Sequence, residues 1–325
     1  MPTPCVAAAA AFALRVTESD LPALRRLSAS QRRAFALDLC ALLDFATPGG
    51  ERLSGSPSPN AGGLRAAVMI DHVPGMTSRA ACALVDRLSL ASRRSVPDVE
   101  NLQVFEVHDV VIIAHAPRLR DELLGWRGDD ARTTRFKRLV DVLPAAEPAM
   151  RVADVADALA RAADALEAPP ATDRGRRREG EEGEEGEEGR DNKRRPRDLV
   201  AALGALADSV PPPTLVGACL GYPRVYAWSK AGDVAAAARA LSSETLRVYE
   251  VYARFRGDEK NAPRRRVCGF TAPVRFGEDD AETVARDRDA NVWLEAMRER
   301  AAAGGDVWTD LRLRVETRSA GPVAL

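Results

Sequence analysis

Residues 66–75, Ala66-Ala67-Val68-Met69-Ile70-Asp71-His72-Val73-Pro74-Gly75, decide the fold of this chain. Five apolar residues make a short buried strand, an aspartate ends it, and a proline with a glycine turns the chain. A helical pattern through Leu84 and Leu88 follows. Strand, loop and helix in that order are half of a βαβ unit. In open α/β sheets ligands bind beyond the carboxyl ends of strands, which makes Asp71 the first catalytic candidate. An aspartate placed there can hold a cation, orient a hydroxyl or act as a base. The competing reading is an aspartate that caps the following turn or helix.

Working outward, residues 102–108 and 110–114 read as strands broken near Asp109, followed by a helix over 119–126. The next strand, 138–143, carries Asp141, a second catalytic candidate if that strand runs parallel to the first. Residues 152–167 form an alanine-rich amphipathic helix. Upstream, Thr17-x-x-Asp20 has the form of a capping box with Pro22 in the first turn. Ser30 then caps a helix in which Phe35, Leu39, Leu42 and Leu43 recur at helical spacing. Downstream come helices over 199–206 and 214–220, strands over 224–228, 246–255 and 267–274, and a helix over 282–303. That helix buries one face through Trp293 and Met297. A last strand over 310–316 completes an antiparallel meander. The expected class is α/β, a mixed parallel/antiparallel sheet flanked by helices. One large domain covers 30–325 after an N-terminal extension, 1–29. Two insertions, 46–63 and the charged 173–198, are expected to be disordered.

With 47 basic and 48 acidic residues there is no global field to recommend nucleic acid or an anionic membrane. Five scattered cysteines, none in a C-x-x-C arrangement, suit a reducing compartment and argue against a disulfide framework or zinc ribbon. The apolar start, 6–14, lacks a positive flank and is too short to span a bilayer, so it reads as ordinary N-terminal structure. These features indicate a soluble, cytoplasmic protein. Lys193-Arg194-Arg195-Pro196-Arg197 resembles a nuclear-localisation cluster, although beside a glutamate run it reads first as charge-balanced disorder.

The most distinctive stretch is Leu220-Gly221-Tyr222-Pro223-Arg224-Val225-Tyr226-Ala227-Trp228, because all four tyrosines lie in it and in the next apolar run. Glycine and proline around Tyr222 fix a rigid change of direction. Gly221, Tyr222, Pro223 and Arg224 are therefore the expected ligand or partner contacts. Tyr226 and Trp228 read as core, with Tyr222 free to project outward. Together with Leu246-Arg247-Val248-Tyr249, Phe270-Thr271-Ala272-Pro273 and the terminal Val323-Ala324-Leu325, this bend resembles an uncharacterised eukaryotic family. The human member of that family is known only as an open reading frame on chromosome 1. The resemblance covers 30–325, leaves the three histidines outside it and implies no activity. The terminal tripeptide could add as a strand to a PDZ-type partner, but docking on its own fold is the preferred reading.

His72, His108 and His115 match no compact metal-ligand spacing, so no metal site is expected, and nothing specifies a cofactor. Cys219 reads as a small buried apolar residue rather than a nucleophile. No P-loop, G-x-G-x-x-G, G-x-S-x-G or H-E-x-x-H occurs. The expected function is accordingly a binding or interaction protein for an unknown protein or small molecule. The alternative is a hydrolase or transferase acting on a small or phosphorylated substrate through Asp71.

Overall fold

The computed structural model describes residues 3–19, 21–45, 63–126, 138–141, 152–167, 195–203, 210–228, 234–258, 262–274, 280–305 and 307–319. Most of both expected insertions, and the terminal Val323-Ala324-Leu325, lie outside the described residues.

Three helices open the fold: α1 (Pro4–Thr17), α2 (Pro22–Arg25) and α3 (Ala29–Cys40). The apolar start is thus a helix, and Thr17 ends it, its hydroxyl donating to the Leu14 carbonyl (2.7 Å). Ser28, not Ser30, caps α3. Gln31 stands three residues on, where a reciprocal capping box requires a glutamine or glutamate, and both of its bonds form.

The strand that decides the fold is β1 (Ala67–Met69), followed by α4 (Ser78–Ser92), a 3-10 turn (Pro97–Asn101), β2 (Leu102–Val107) and β3 (Val110–His115). β3 pairs antiparallel with both β1 and β2 and lies between them. β1 and β2 therefore run parallel with one strand inserted, a split βαβ arrangement. The β2–β3 hairpin turns on His108 and Asp109, with His108 in the left-handed region at φ 52°. A side chain there costs about 1–2 kcal/mol. His108→Gly should raise the unfolding free energy by about 0.5–1 kcal/mol, read from urea melts.

α5 (Ala116–Leu124), β4 (Arg138–Asp141) and α6 (Val152–Glu167) follow. The tail of the charged stretch is ordered: β5 (Arg197–Asp198) pairs parallel with β2, which makes this four-stranded sheet mixed. Asp198 then accepts bonds from the Val200 and Ala201 amides (2.8 and 3.0 Å), starting α7 (Leu199–Leu203). α8 (Pro212–Cys219) leads through the bend to β6 (Arg224–Ala227), which pairs parallel with β4 in a separate sheet. α9 (Val234–Ser243), β7 (Thr245–Phe255), β8 (Arg265–Val274), α10 (Asp280–Ala303) and β9 (Trp308–Arg318) complete the order. The last sheet is antiparallel, as expected, but its order is β8-β7-β9 rather than that of a meander. β8–α10–β9 is a second split βαβ unit, its slot filled by a strand made before the crossover rather than after it.

Alternation along the strands sets the layers. Val68, Val104 and Ile113 face one buried cluster with α1, α3, α4, β7, β8 and α10. Ala67, Phe105, Ile112 and Ala114 face another with α5, α6, α7 and α8. Phe105 is fully buried, worth about 2–3 kcal/mol in transfer free energy. Helices cover both faces of the four-stranded sheet in one α/β domain.

Candidate functional site

The Leu220–Pro223 bend is a helix stop. The Tyr222 amide donates to the Gly217 carbonyl (3.1 Å) and the Gly221 amide to the Ala218 carbonyl (3.0 Å), the two bonds of a Schellman cap. Gly221 takes the left-handed position at φ 72°, and a Cβ there would stand 3.4 Å from the Glu122 carboxyl carbon. Pro223 prevents the helix from continuing. Arg224 enters β6 and turns inward, pairing with Asp289 of α10 (2.9 Å). Tyr226 bonds Thr271 (2.5 Å), and Trp228 is fully buried. Half-buried Tyr222 packs its ring against Phe270 (6.2 Å), which stacks in turn on Tyr249 (4.7 Å). Its hydroxyl has no hydrogen-bond partner among the described residues.

Asp71 lies in the turn after β1, and its side chain is 61 % exposed. It does not cap α4; Thr77 does. His72 beside it is held between two carboxylates, with Nδ1 3.5 Å from Asp71 and Nε2 3.7 Å from Asp38 of α3. Arg265 stands 3.6 Å from the other Asp38 oxygen, while Arg65 donates to the Val267 carbonyl (2.9 Å). Burial raises the Asp38 carboxyl above its ordinary value, against the opposing charges of Arg65, Arg265, His72 and Arg266. Burial likewise raises the Tyr222 hydroxyl; Asp71 and Cys268 add to this, and Arg65 and Arg266 oppose it. Asp71, His72, Asp38 and Arg265 thus form one chain of ionic contacts, and β8 links this polar seam to the bend, since Arg65 binds its Val267 carbonyl and Tyr222 packs on its Phe270.

Asp38 and these arginines were not among the expected site residues. A signal existed for Asp38: it interrupts the otherwise apolar run Phe35-Ala36-Leu37-Asp38-Leu39-Cys40. Asp141 is not brought to the seam by shared pairing. It ends β4, in register with Ala227, in a sheet that does not contain β1.

A second polar constellation is buried. His115, fully buried at the start of α5, lies 2.7 Å through Nε2 from Asp98, and Nδ1 accepts from the Arg118 amide (3.4 Å). The imidazole is therefore neutral, with its proton on Nε2. Asp98 also accepts from Arg118 (2.9 Å), Asn101 (3.2 Å) and the Asp44 amide (2.8 Å). Arg118 reaches across to the Leu42 carbonyl. Gly63 makes room for it, since a Cβ there would stand 2.7 Å from that oxygen and overlap the guanidinium. Burial would raise the Asp98 carboxyl, but the His115 bond and the Arg118 charge hold it well below the usual range. Burial keeps the His115 ring below its ordinary value. This network stitches α3, the 3-10 turn and α5 together, out of reach of a substrate.

Among the described residues no group of three His, Cys, Asp or Glu side chains could hold a metal ion. Cys219 is fully buried, and burial pushes its thiol up to about 12. No helix among the described residues is long and apolar enough to cross a membrane.

The fold is thus that of an α/β protein with a mixed sheet. Residues 61–325 match a family described as "Domain of unknown function (DUF4504)", and the chain belongs to that family. No curated protein and no solved structure matches it.

Proposed function

We propose that this is a binding protein of a reducing compartment, the cytoplasm, whose contact surface is the seam between Tyr222 and Asp71. We take its family to be the eukaryotic one that the bend resembles. One observation carries the reading: half-buried Tyr222 packs on Phe270 of β8, the strand whose Val267 carbonyl holds Arg65 and whose Arg265 meets Asp38, which His72 links to Asp71. Arg266 is paired with Glu250 (3.0 Å) through one guanidinium nitrogen but leaves 65 % of its side chain in solvent, where it can also meet an anionic group on a ligand. The ligand class is a small molecule bearing phosphate.

Thermal shift with inorganic phosphate, sugar phosphates and nucleotides tests this. A ligand at one hundred times its Kd should stabilise the wild type by about 2.7 kcal/mol. That shift should shrink in Asp71→Asn and Tyr222→Phe and vanish in Arg266→Ala. Equal shifts in all four proteins, or no shift in any, would place the binding surface elsewhere.

A second reading rests on His72, set between Asp71 and Asp38 as an acid–base relay would be. On that reading the protein is a hydrolase or transferase acting on the same phosphorylated ligand. Phosphate release that Asp71→Asn abolishes would favour it over binding alone.

A further inference from the structure

β9 is the outermost strand of the β8-β7-β9 sheet, and among the described residues nothing pairs with its outer side. Such an edge presents unpaired N–H and C=O groups at every second residue. β9 is long for an edge strand, running from Trp308 to Arg318. A bulge divides it: the pairing with β7 shifts between Tyr252 and Arg254, and Asp310 takes a left-handed conformation at φ 56°. Within the bulge, Arg298 of α10 donates to the Leu311 carbonyl (2.8 Å) and ties that end down. The open length is 312–318.

The face of this sheet that carries Glu250 is rimmed by six arginines, Arg254, Arg264, Arg266, Arg312, Arg314 and Arg318. They stand against three carboxylates, those of Glu250, Asp310 and Glu316. Core residues fix the parity: Tyr249 lies opposite Val315 and Val251 opposite Leu313, while Glu250 lies opposite Arg314 and Tyr252 opposite Arg312. Arg314 is 57 % exposed although it pairs with Glu316. On this face of the open edge Arg312 and Arg314 therefore stand one two-residue step apart, about 7 Å, and Arg318 two steps further on, with Glu316 between them.

Beside the tied end lies an open depression of ≈ 400 Å³ lined by Arg298, Ala301, Ala302, Trp308, Leu311 and Arg312. Trp308 is buried, and its indole N–H has no acceptor among the described residues. A free edge with a side-chain depression next to it is the arrangement used for strand addition, where the backbone supplies affinity and pockets supply specificity.

We propose that β9 is a docking edge for an extended acidic peptide of another protein, added as a fourth strand over residues 312–318. Carboxylates of that peptide fall beside Arg312, Arg314 and Arg318, each opposite-charge cross-strand pair contributing, while Glu316 is neutralised by its own bonds with Arg314 and Arg318. An apolar residue at its end enters the depression beside Trp308 and Leu311. Three arginines against one glutamate leave this edge net positive, which favours an acidic strand over a second copy of this one.

Fluorescence anisotropy on the full chain tests the proposal. The probe is a labelled peptide of alternating Glu and Val, compared with an alternating Lys and Val peptide and with a ten-nucleotide oligouridine. The acidic peptide should bind saturably and the basic one should not. Arg314→Glu should weaken binding at least tenfold, and Arg318→Glu, near the strand end, should weaken it without burdening the fold. The acidic peptide N-methylated at alternate residues should lose binding, because strand addition needs its amides. The proposal is overturned if the acidic peptide fails to saturate, if the variants leave its Kd unchanged, or if N-methylation is tolerated. Tighter binding of the oligouridine than of the peptide overturns it in favour of a nucleic-acid face.

Discussion

Asp98→Asn should lower the unfolding free energy by about 3–5 kcal/mol, the range for breaking a buried ion pair by removing one partner. The carboxylate accepts from His115, Arg118, Asn101 and the Asp44 amide, and an amide in its place leaves the Arg118 charge uncompensated. Urea melts at pH 7 measure the loss. The pH dependence has two limbs. The folded carboxyl of Asp98 lies below its ordinary 3.8, so its stabilisation is present above that pH and is lost as pH falls below it. The folded His115 ring also lies below its ordinary 6.5. Below pH 6.5 the unfolded chain takes up a proton that the folded one refuses, and stability falls with it. Wild type should therefore begin to lose stability near pH 6.5 and again near pH 4. His115→Gln should remove the upper limb and Asp98→Asn the lower. A wild-type profile flat down to pH 4 would rule out a neutral buried His115.

Asp289→Ala should cost a similar amount, about 3–5 kcal/mol. It strands the Arg224 guanidinium, whose side chain is 10 % exposed against 3 % for Asp289. The pair joins the bend to α10, which also docks through the Arg247–Asp287 ion pair (2.6 Å) and the Arg286 bond to the Pro273 carbonyl (2.9 Å). The double variant Arg224→Met/Asp289→Leu should regain most of the loss, because matched apolar side chains often replace a buried pair at little cost. If the double variant is no more stable than Asp289→Ala, the loss comes from packing rather than from a stranded charge.

Local patterns were legible in the sequence where one principle acted alone. The alanine-rich stretch 152–167 has helical periodicity and is helix α6 over those same residues. The break near Asp109 between β2 and β3 was equally visible, because it interrupts two apolar runs, although His108, read as strand, belongs to the turn. What escaped is long-range. Strand composition does not reveal that β7 sits between β8 and β9, or that β4 and β6 form a pair of their own. The same holds for the candidate site. Asp71 and Tyr222 could be named singly from a strand end and a bend. Asp38, Arg65 and Arg265, which lie between them, come from elements whose neighbours only the fold determines. Arg224 shows the converse: a cation beside the bend reads as a contact residue until Asp289, on a helix far along the chain, claims it.

The family match begins at residue 61, yet Phe12 and Val16 of α1 and Phe35 and Leu39 of α3 lie in one buried cluster with Val68, Tyr249 and Trp293. The Leu42 carbonyl and the Asp44 amide, also before residue 61, hold Arg118 and Asp98 in place. The segment recognisable by descent is thus shorter than the segment that shares its buried cluster, and the helices preceding the match form one wall of that cluster.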